Sequence, residues 1–528
     1  MPGGINNTFG NMIIPIADEL ERISKGEILS DDWSKVIYSV DASHYSIKPT
    51  VIVCPLDEYD LSKVCQYAYS KNIPITARGA GTGLLGQSLN DNIIIDFTKH
   101  MNKILEIGTD YVLVQPGLVK GILDKELKKR GKFLPPDPAS SNYCTIGGMI
   151  ANNSSGVHAL GYGSTIEFLE AANVVYSDGS FGFVSNSDTS SSDDEKIAKL
   201  YRLLSPYIEL IQKQYPKVTK NSCGYRLDAV INNEKFYPHK IFAASEGTLG
   251  IVTSAKLKII DIPLYSATIV FGFKDLLSAI SAVPVVLQFS PVALEMLDHT
   301  VFRNFDVEAS PRVMDSGSGG GSLLFVEFAD DTLIDVEQKL TSCKDKLSSV
   351  STTLETVIDE NSSRQIWGAR KSALNNAMKM TVGSRKPVGL IEDTVVSPDI
   401  LYDYTRFLLQ KYNDNKLDYV IYGHAGNGNL HTRPMIDTES QTELELFNTV
   451  ADKVFAKVIS CGGTITGEHG DGIARTKYIK IMYGTQIVSI FEQIKKLFDP
   501  KFIMNPGKKV IRSDLAKKTS RSILDDEL

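Results

Sequence analysis

Short apolar runs alternate with amphipathic stretches through the first third of the chain. Val51-Ile52-Val53 reads as a strand, and Leu61, Val64, Cys65 and Ala68 then follow the i, i+3, i+4, i+7 spacing of a helix. Ile73 to Ala77 and Asn92 to Phe97 predict two more strands. Ile104 to Ile107 and Tyr111 to Gln115 flank Gly108-Thr109-Asp110, the pattern of a hairpin. A helix beginning at Val119 should stop at Gly131. Ala171 to Tyr176 and Lys240 to Ile260 are again strand-like. Farther along, Tyr419 to Tyr422 and Leu430 to Ile436 predict two strands around a glycine-rich turn. Thr442 to Ser460 predicts a helix with Leu446, Val450, Val454 and Val458 on one side, ended by Gly462-Gly463. Hairpins mixed with helices predict an α+β fold, not a regular doubly wound sheet.

At 528 residues the chain is long enough for two or three domains with large cores. Pro263 marks the expected boundary between two of them. Ser185 to Glu195 and Asp315 to Ser322 read as polar or Gly/Ser-rich surface loops, and the residues from about 512 as a charged, loosely held tail.

Composition narrows the function classes. Hydrophobic content of 42% with 23% charged residues describes an ordinary globular protein. A net charge of −7 without any Lys/Arg run argues against nucleic acid as a partner. No apolar run approaches the ~18 residues of a membrane span, and no secretory signal pattern opens the chain. The six cysteines are scattered without a Cys-x-x-Cys pair, which suits reduced thiols better than disulfides or a cysteine-held iron–sulfur cluster. The expectation is a cytoplasmic protein, with peripheral docking on a membrane left open.

Chemistry concentrates in five segments. Arg78-Gly79-Ala80-Gly81-Thr82-Gly83 places a glycine turn directly after a strand, where consecutive N–H groups can converge on phosphate oxygens. Its Gly-x-Gly-x-Gly spacing is not that of a Rossmann loop, and taken alone it is equally a tight turn without a ligand. Pro135 to Gly156 is long, glycine-rich and polar, and Glu246 to Thr253 is a third glycine-punctuated segment. Near the end stand Gly-His-Ala-Gly-Asn-Gly-Asn-Leu-His (423–431) and Gly-Glu-His-Gly-Asp-Gly (467–472). A hairpin around the first would set His424 and His431 across from each other, and the helix that follows returns the chain toward Glu468. His424, His431 and Glu468 can then hold a divalent metal (Zn, Mn or Fe), with His469 beside it free to move a proton. Each histidine taken singly is an ordinary hydrogen-bonded turn residue.

The order and spacing of the first three segments resemble the FAD-binding domain of the vanillyl-alcohol-oxidase/para-cresol-methylhydroxylase flavoprotein superfamily. With the two histidine segments and the terminal Asn505-Pro506-Gly507-Lys508, the chain from about residue 45 to 510 is similar to that superfamily's FAD-linked D-2-hydroxy-acid dehydrogenases, the D-lactate, D-2-hydroxyglutarate and glycolate dehydrogenases. The resemblance implies an FAD-binding domain of two α+β subdomains over 48–262 and a second α+β substrate (cap) domain, built on an antiparallel sheet, over 263–470. A helical extension over 1–47, a segment over 471–510 returning to the FAD domain and a charged tail over 511–528 complete it.

It also implies roles. FAD would lie against Arg78, Gly79, Ala80, Gly81, Thr82, Gly83, Asp137, Ser140, Gly147, Gly148, Asn152, Ser154, Gly156, Gly250, Ile251, Val252 and Asn505. It would be held non-covalently, because no His lies between Arg78 and Ser88. The implied reaction oxidises a D-2-hydroxy acid to the 2-oxo acid. Metal-assisted removal of the hydroxyl proton by His469 accompanies hydride transfer to flavin N5, and the metal is held by His424, His431 and Glu468.

Arg370 matches the arginine that pairs with the substrate carboxylate, and Arg433, two residues past His431, points the same way in a strand. Between Glu360 and Glu392 lie six Lys/Arg and no acid, which favours an anionic substrate; Lys371 and Lys379 there read as a solvated face. Asn427 stands where many relatives have Asp. Leu374 and Ile391 fall, in rough alignment, where hydroxyglutarate enzymes carry Thr and Lys, which gives lactate or glycolate some ground. An electron acceptor is also implied: an iron–sulfur protein, a quinone, a cytochrome or an electron-transferring flavoprotein. A homodimer is compatible with all of this. The competing readings are a non-redox transferase similar to alkyl-dihydroxyacetone-phosphate synthase and a flavin subunit of an electron-transfer complex.

Overall fold

The computed structural model describes residues 15–185, 194–232, 235–301, 321–377 and 379–511. Most of the loops expected over 185–195 and 315–322, the tail beyond 511 and the start of the 1–47 extension lie outside the described residues.

Three sheets organise the chain, and the α+β expectation holds. The first runs Glu27–Leu29, Val51–Cys54, Ile93–Asp96, Ile75–Arg78. Its last three strands are parallel, and Val51–Cys54 and Ile93–Asp96 are buried throughout. Unbroken apolar runs are what strands covered on both faces require. The helix Glu58–Lys71 covers one face; Asp57 caps its start and Asn72 ends it in a left-handed turn. The 1–47 extension is not purely helical. Buried Asp60 accepts hydrogen bonds from the amides of Lys25, Gly26 and Leu56, which draws Glu27–Leu29 onto the sheet edge as a strand.

The second sheet is antiparallel, ordered Ile104–Ile107, Tyr111–Val114, Ile251–Lys258, Leu169–Val175, Phe181–Ser185. Only Ile251–Lys258 of the strand-like stretch 240–260 is extended here. Pro238–Phe242 is a single helical turn, and the positive φ angles of Ala244, Glu246 and Gly247 break the chain before the strand. The apolar pattern therefore marked burial, not extension.

The third sheet is antiparallel, ordered Thr352–Val357, Tyr265–Phe273, Ser322–Asp330, Ala293–Leu297, Tyr419–His424, Asn429–Ile436, Lys386–Pro387, with Thr394–Val395 also pairing Asn429–Ile436. The helix Gln441–Ser460 buries Phe447, Val450, Val454 and Val458. No described helix is long and apolar enough to cross a membrane, and no cysteine is in a disulfide.

The helix Ile479–Phe498 brings residues 503–505 alongside Ile75 of the first sheet. One buried cation secures that return. Lys495 donates to Asp499 at 2.7 Å and to the carbonyls of Thr248 and Met504 at 2.7 and 2.6 Å. Lys495→Met leaves Asp499 charged and buried without its partner, a loss of about 3–5 kcal/mol. A lower urea-unfolding midpoint should report it, whereas Lys48→Met in the exposed Lys48–Asp32 pair should leave the midpoint unchanged.

Candidate active site

His424 ends the strand Tyr419–His424, and His431 lies third in Asn429–Ile436. The register pairs Tyr422 with His431 and His424 with Asn429, so the two imidazoles are diagonal neighbours, not opposite ones as a simple hairpin predicts. The tight turn explains the shift. Ala425–Asn427 is a single helical turn closed by Gly428 at φ +66°, and a Cβ at Gly428 would collide with the carbonyl oxygen of Val396. Diagonal placement still brings the ring centroids within 5.1 Å.

The second histidine segment has no regular structure, and one carboxylate shapes it. Buried Asp393, itself at φ +69°, accepts hydrogen bonds from the successive amides of Gly467, Glu468 and His469 at 2.9–3.0 Å. Asn429 Nδ2 and Arg475 Nη1 occupy its remaining lone pairs. The amides aimed at Asp393 turn the side chains of Glu468 and His469 toward the hairpin.

The donors converge there. Glu468 Oε1 lies 2.9 Å from His424 Nε2 and 3.5 Å from His431 Nε2. Bonds of ~2.0–2.1 Å in a tetrahedral site require donors about 3.3 Å apart, and Glu468 Oε1 stands near that distance from both nitrogens. Each ring is turned by a carboxylate at Nδ1: His424 by Glu295 at 2.6 Å and His431 by Glu392 at 3.2 Å. Buried carboxylates behind Nδ1 leave Nε2 as the ligating nitrogen. A four-residue grouping of Asp393, His431, Glu468 and His469 lies within 4.8 Å. The oxygens of Asp393 are already committed to the backbone, so His424 is the better third donor.

Glu468 Oε2 faces the other way, onto Lys220 Nζ at 3.0 Å and Ser155 Oγ at 2.5 Å. Burial would raise the Glu468 pKa, but Lys220 and His424 outweigh it and hold the acid well below the usual carboxylate range. Burial likewise works against a charged His469; the Glu392 and Asp393 carboxylates prevail and push its pKa up to about 9. The His469 ring stacks on His431 with centroids 4.8 Å apart and the planes 20° apart.

A cavity of about 1060 Å³ opens beside these groups. His424, His431, Glu468, His469, Arg370 and Arg433 line one part of it, and Arg78–Gly83, Asp137, Ser140, Gly147, Gly148, Asn152, Ser154, Gly156 and Gly250–Val252 line the rest. Gly148 tests whether a flat ligand belongs there. It sits in the helix Ile146–Asn152, where glycine costs about 0.5–1 kcal/mol relative to alanine, yet the nearest protein atom to a Cβ would be Thr145 Oγ1 at 3.4 Å. Nothing in the protein excludes that methyl group, so the glycine leaves backbone bare on the cavity side, where a flat cofactor can lie against it. The cavity fits FAD.

Several expected residues behave differently from a simple lining role. Arg78 donates to the carbonyls of Val40 at 2.7 Å and Tyr38 at 3.4 Å, bracing its loop from behind. The Asp137 carboxylate is engaged by His158, at the amide and at Nδ1. Asn505 is not on the cavity wall; it ties Thr76 to the carbonyls of Gln87 and Glu246, beneath two of the glycine segments. Arg370 is paired with Glu295, and Arg433 with Glu392. Asn427 donates to Thr219, away from the cavity. Leu374 lines the cavity, but Ile391 is wholly buried in the core, so its apolar character says nothing about substrate. Lys371 lines the cavity too, while Lys379 is exposed.

The motifs did not reveal Glu295, Glu392, Asp393, Lys220 or Ser155. Two signals were present: Glu295 interrupts the apolar strand Ala293–Leu297, and Glu392-Asp393 ends the acid-free basic stretch. Ser155 lay inside the polar segment Pro135 to Gly156 without being singled out, and Lys220 carried no signal.

The model for FAD linked oxidases, C-terminal domain, matches residues 262–509, and that for an FAD binding domain matches residues 49–182. The D-2-hydroxyglutarate dehydrogenase of Haemophilus influenzae is 30% identical, aligned over 94% of this chain and 51% of that protein. The glycolate oxidase subunit GlcD of Bacillus subtilis is 28% identical, over 93% of this chain and 96% of that one. The solved structure of 4-ethylphenol oxidase from Gulosibacter chungangensis superposes with a TM-score of 0.68 at 13% identity, over 94% and 96% of the two chains, a likeness of fold. The chain spans about half the length of the hydroxyglutarate dehydrogenases it matches.

Asp393→Asn withdraws the charge that the three amides share. Hydrogen–deuterium exchange should quicken in peptides spanning 467–469 while those spanning Arg78–Gly83 stay protected, with a loss of about 1–3 kcal/mol in unfolding free energy.

Proposed function

Because the chain belongs to the FAD-linked oxidases, we propose that it oxidises a D-2-hydroxy acid to the 2-oxo acid, with FAD held non-covalently and a divalent metal at His424, His431 and Glu468. One observation carries this reading: glycine segments of an FAD-binding domain and a His₂/Glu donor set with two arginines line the same cavity. The family names on the relatives agree with that substrate class.

Within the reading, Arg370 binds the substrate carboxylate; a guanidinium forms two parallel bonds to a carboxylate and so orients Cα. Glu295 behind it keeps the guanidinium plane from turning. Arg433 is the second anion-binding group. His469 Nε2 takes the hydroxyl proton. Glu392 holds the opposite nitrogen at 2.7 Å, and Gln87 fixes the His469 carbonyl. A bound divalent ion supplies positive charge that favours loss of the hydroxyl proton and opposes protonation of His469. Bound FAD supplies the two-electron acceptor for the Cα hydride. The segment Arg78–Ser88 offers no histidine for a covalent link to flavin.

The electrons must then leave through an acceptor, of which an iron–sulfur protein, a quinone, a cytochrome and an electron-transferring flavoprotein are the candidate classes. A cytoplasmic protein that meets such an acceptor at its surface is the setting this reading fits. The transferase alternative needs no metal and no net flavin reduction. The electron-transfer-subunit alternative leaves turnover insensitive to His424→Ala.

Anaerobic D-lactate, glycolate or D-2-hydroxyglutarate should bleach the flavin of the purified protein; a flavoprotein bleached by no 2-hydroxy acid refutes the proposal. His469→Ala should slow that bleaching by about 10²–10⁴-fold with FAD content unchanged. Chelation should slow it as well, with recovery when a divalent ion is restored.

A further inference from the structure

Two buried glutamates stand behind the site in parallel roles. Glu295 takes His424 Nδ1 on Oε1 and Arg370 on Oε2. Glu392 takes His469 Nδ1 on Oε1 at 2.7 Å and His431 Nδ1 on Oε2 at 3.2 Å, with Arg433 Nη2 3.3 Å from Oε2. Both acids are fully buried. Glu392 has one connection that Glu295 lacks, the ring proposed to accept the proton.

An ionised carboxylate accepts hydrogen bonds and donates none, so both Nδ1 atoms facing Glu392 must carry the hydrogen. In a neutral ring that leaves Nε2 with its lone pair, and both Nε2 atoms turn toward Glu468 Oε1, at 3.5 Å for His431 and 3.8 Å for His469. The glutamate itself cannot swing away. Arg475 contacts Oε1 at 3.2 Å and also donates to the Glu392 carbonyl, and its Nη1 reaches Asp393 at 3.3 Å. The two rings hang from the two oxygens of this one carboxylate and lie stacked on each other.

We propose that Glu392 is the positioning residue of the proton step: it sets the tautomer of His469 and His431 together, making one Nε2 the proton acceptor and the other a metal donor. This rests on the D-2-hydroxy-acid reading above. In that step the substrate O–H proton passes to His469 Nε2 and the Cα hydrogen leaves with its electron pair to the flavin. The C–O single bond becomes the carbonyl of the 2-oxo acid, and the flavin takes up two electrons. Glutamine at 392 would present an amide N–H to one of the rings and force it to the other tautomer.

Glu295→Gln is the built-in comparison, since it also removes a carboxylate from one imidazole and one arginine but touches no part of His469. Divalent-ion affinity, measured by titrating chelated, FAD-loaded protein, should fall about ten- to hundredfold in both variants. At saturating metal, stopped-flow flavin reduction by whichever 2-hydroxy acid reduces the wild type should slow by about 10²–10⁴-fold in Glu392→Gln. Its solvent isotope effect should grow and its Cα-deuterium effect shrink, because proton removal becomes limiting. Glu295→Gln should weaken substrate binding through Arg370 and keep the wild-type isotope pattern. Glu392→Asp, which keeps charge near both arginines but draws it back from Nδ1, should show the same shift in milder form and serves if the glutamine variant does not fold.

Reduction of Glu392→Gln within a few-fold of wild type, or an isotope pattern matching that of Glu295→Gln, overturns the inference and leaves the functional reading standing. A wild-type protein that no 2-hydroxy acid reduces overturns both.

Discussion

The Asp393 carboxylate, accepting the amides of three consecutive residues, is the constraint on which the site depends. A loop of Gly-Glu-His-Gly has no helix or ladder to satisfy its backbone, and buried amides left unpaired are costly. One acid meets that demand and in doing so dictates where Glu468 and His469 point. Arg475 then bridges Asp393 to Glu392, and the loop's next residue, Asp471, joins Lys509 and Glu246 in a buried cluster. Glu246 accepts from the amides of Asp471 and Gly472, so the histidine loop is tied to a glycine segment of the FAD-binding half. The two halves of the cavity are thus one bonded structure.

So many buried charges are tolerable only because none stands alone. Removing two ions from water costs several kcal/mol each, and pairing restores that cost only where the geometry is good. Glu295, Glu392 and Glu468 each meet at least one cation and one imidazole. Such a site adds little to stability for its size. The apolar cores around the three sheets carry that load, and the ionic cluster contributes direction: which oxygen of Glu468 faces the histidines, and which nitrogen of each ring is left free.

Much of this was legible beforehand, and the reasons differ by residue. Glycine placement marks where a backbone must turn tightly or come close to a ligand, so Arg78–Gly83, Gly147-Gly148 and Gly250 could be read directly, and all of them line the cavity. Histidines inside glycine-rich turns are unusual enough that His424, His431 and His469 stood out. Asn505 belongs to an equally clear motif, but its work is to hold two loops from beneath, which local sequence cannot distinguish from touching a ligand. Ile391 was misread for a related reason: an alignment position conveys order along the chain, not whether a side chain faces a cavity or a core.

The sequence alone determined the α+β character, most strand and helix positions, the FAD segments and the set of candidate donors. Each of these is a local property, set by periodicity, by backbone freedom at glycine or by the chemistry of a side chain. Tertiary structure decided the rest: the diagonal register of the two histidines, the extra edge strand of the N-terminal segment, and the choice of Glu295, Glu392, Asp393 and Lys220 as partners. Those acids and that lysine lie between 36 and 248 residues from the groups they hold. Nothing nearby in the chain signals such a pairing, because burial and distance in space create the need for it.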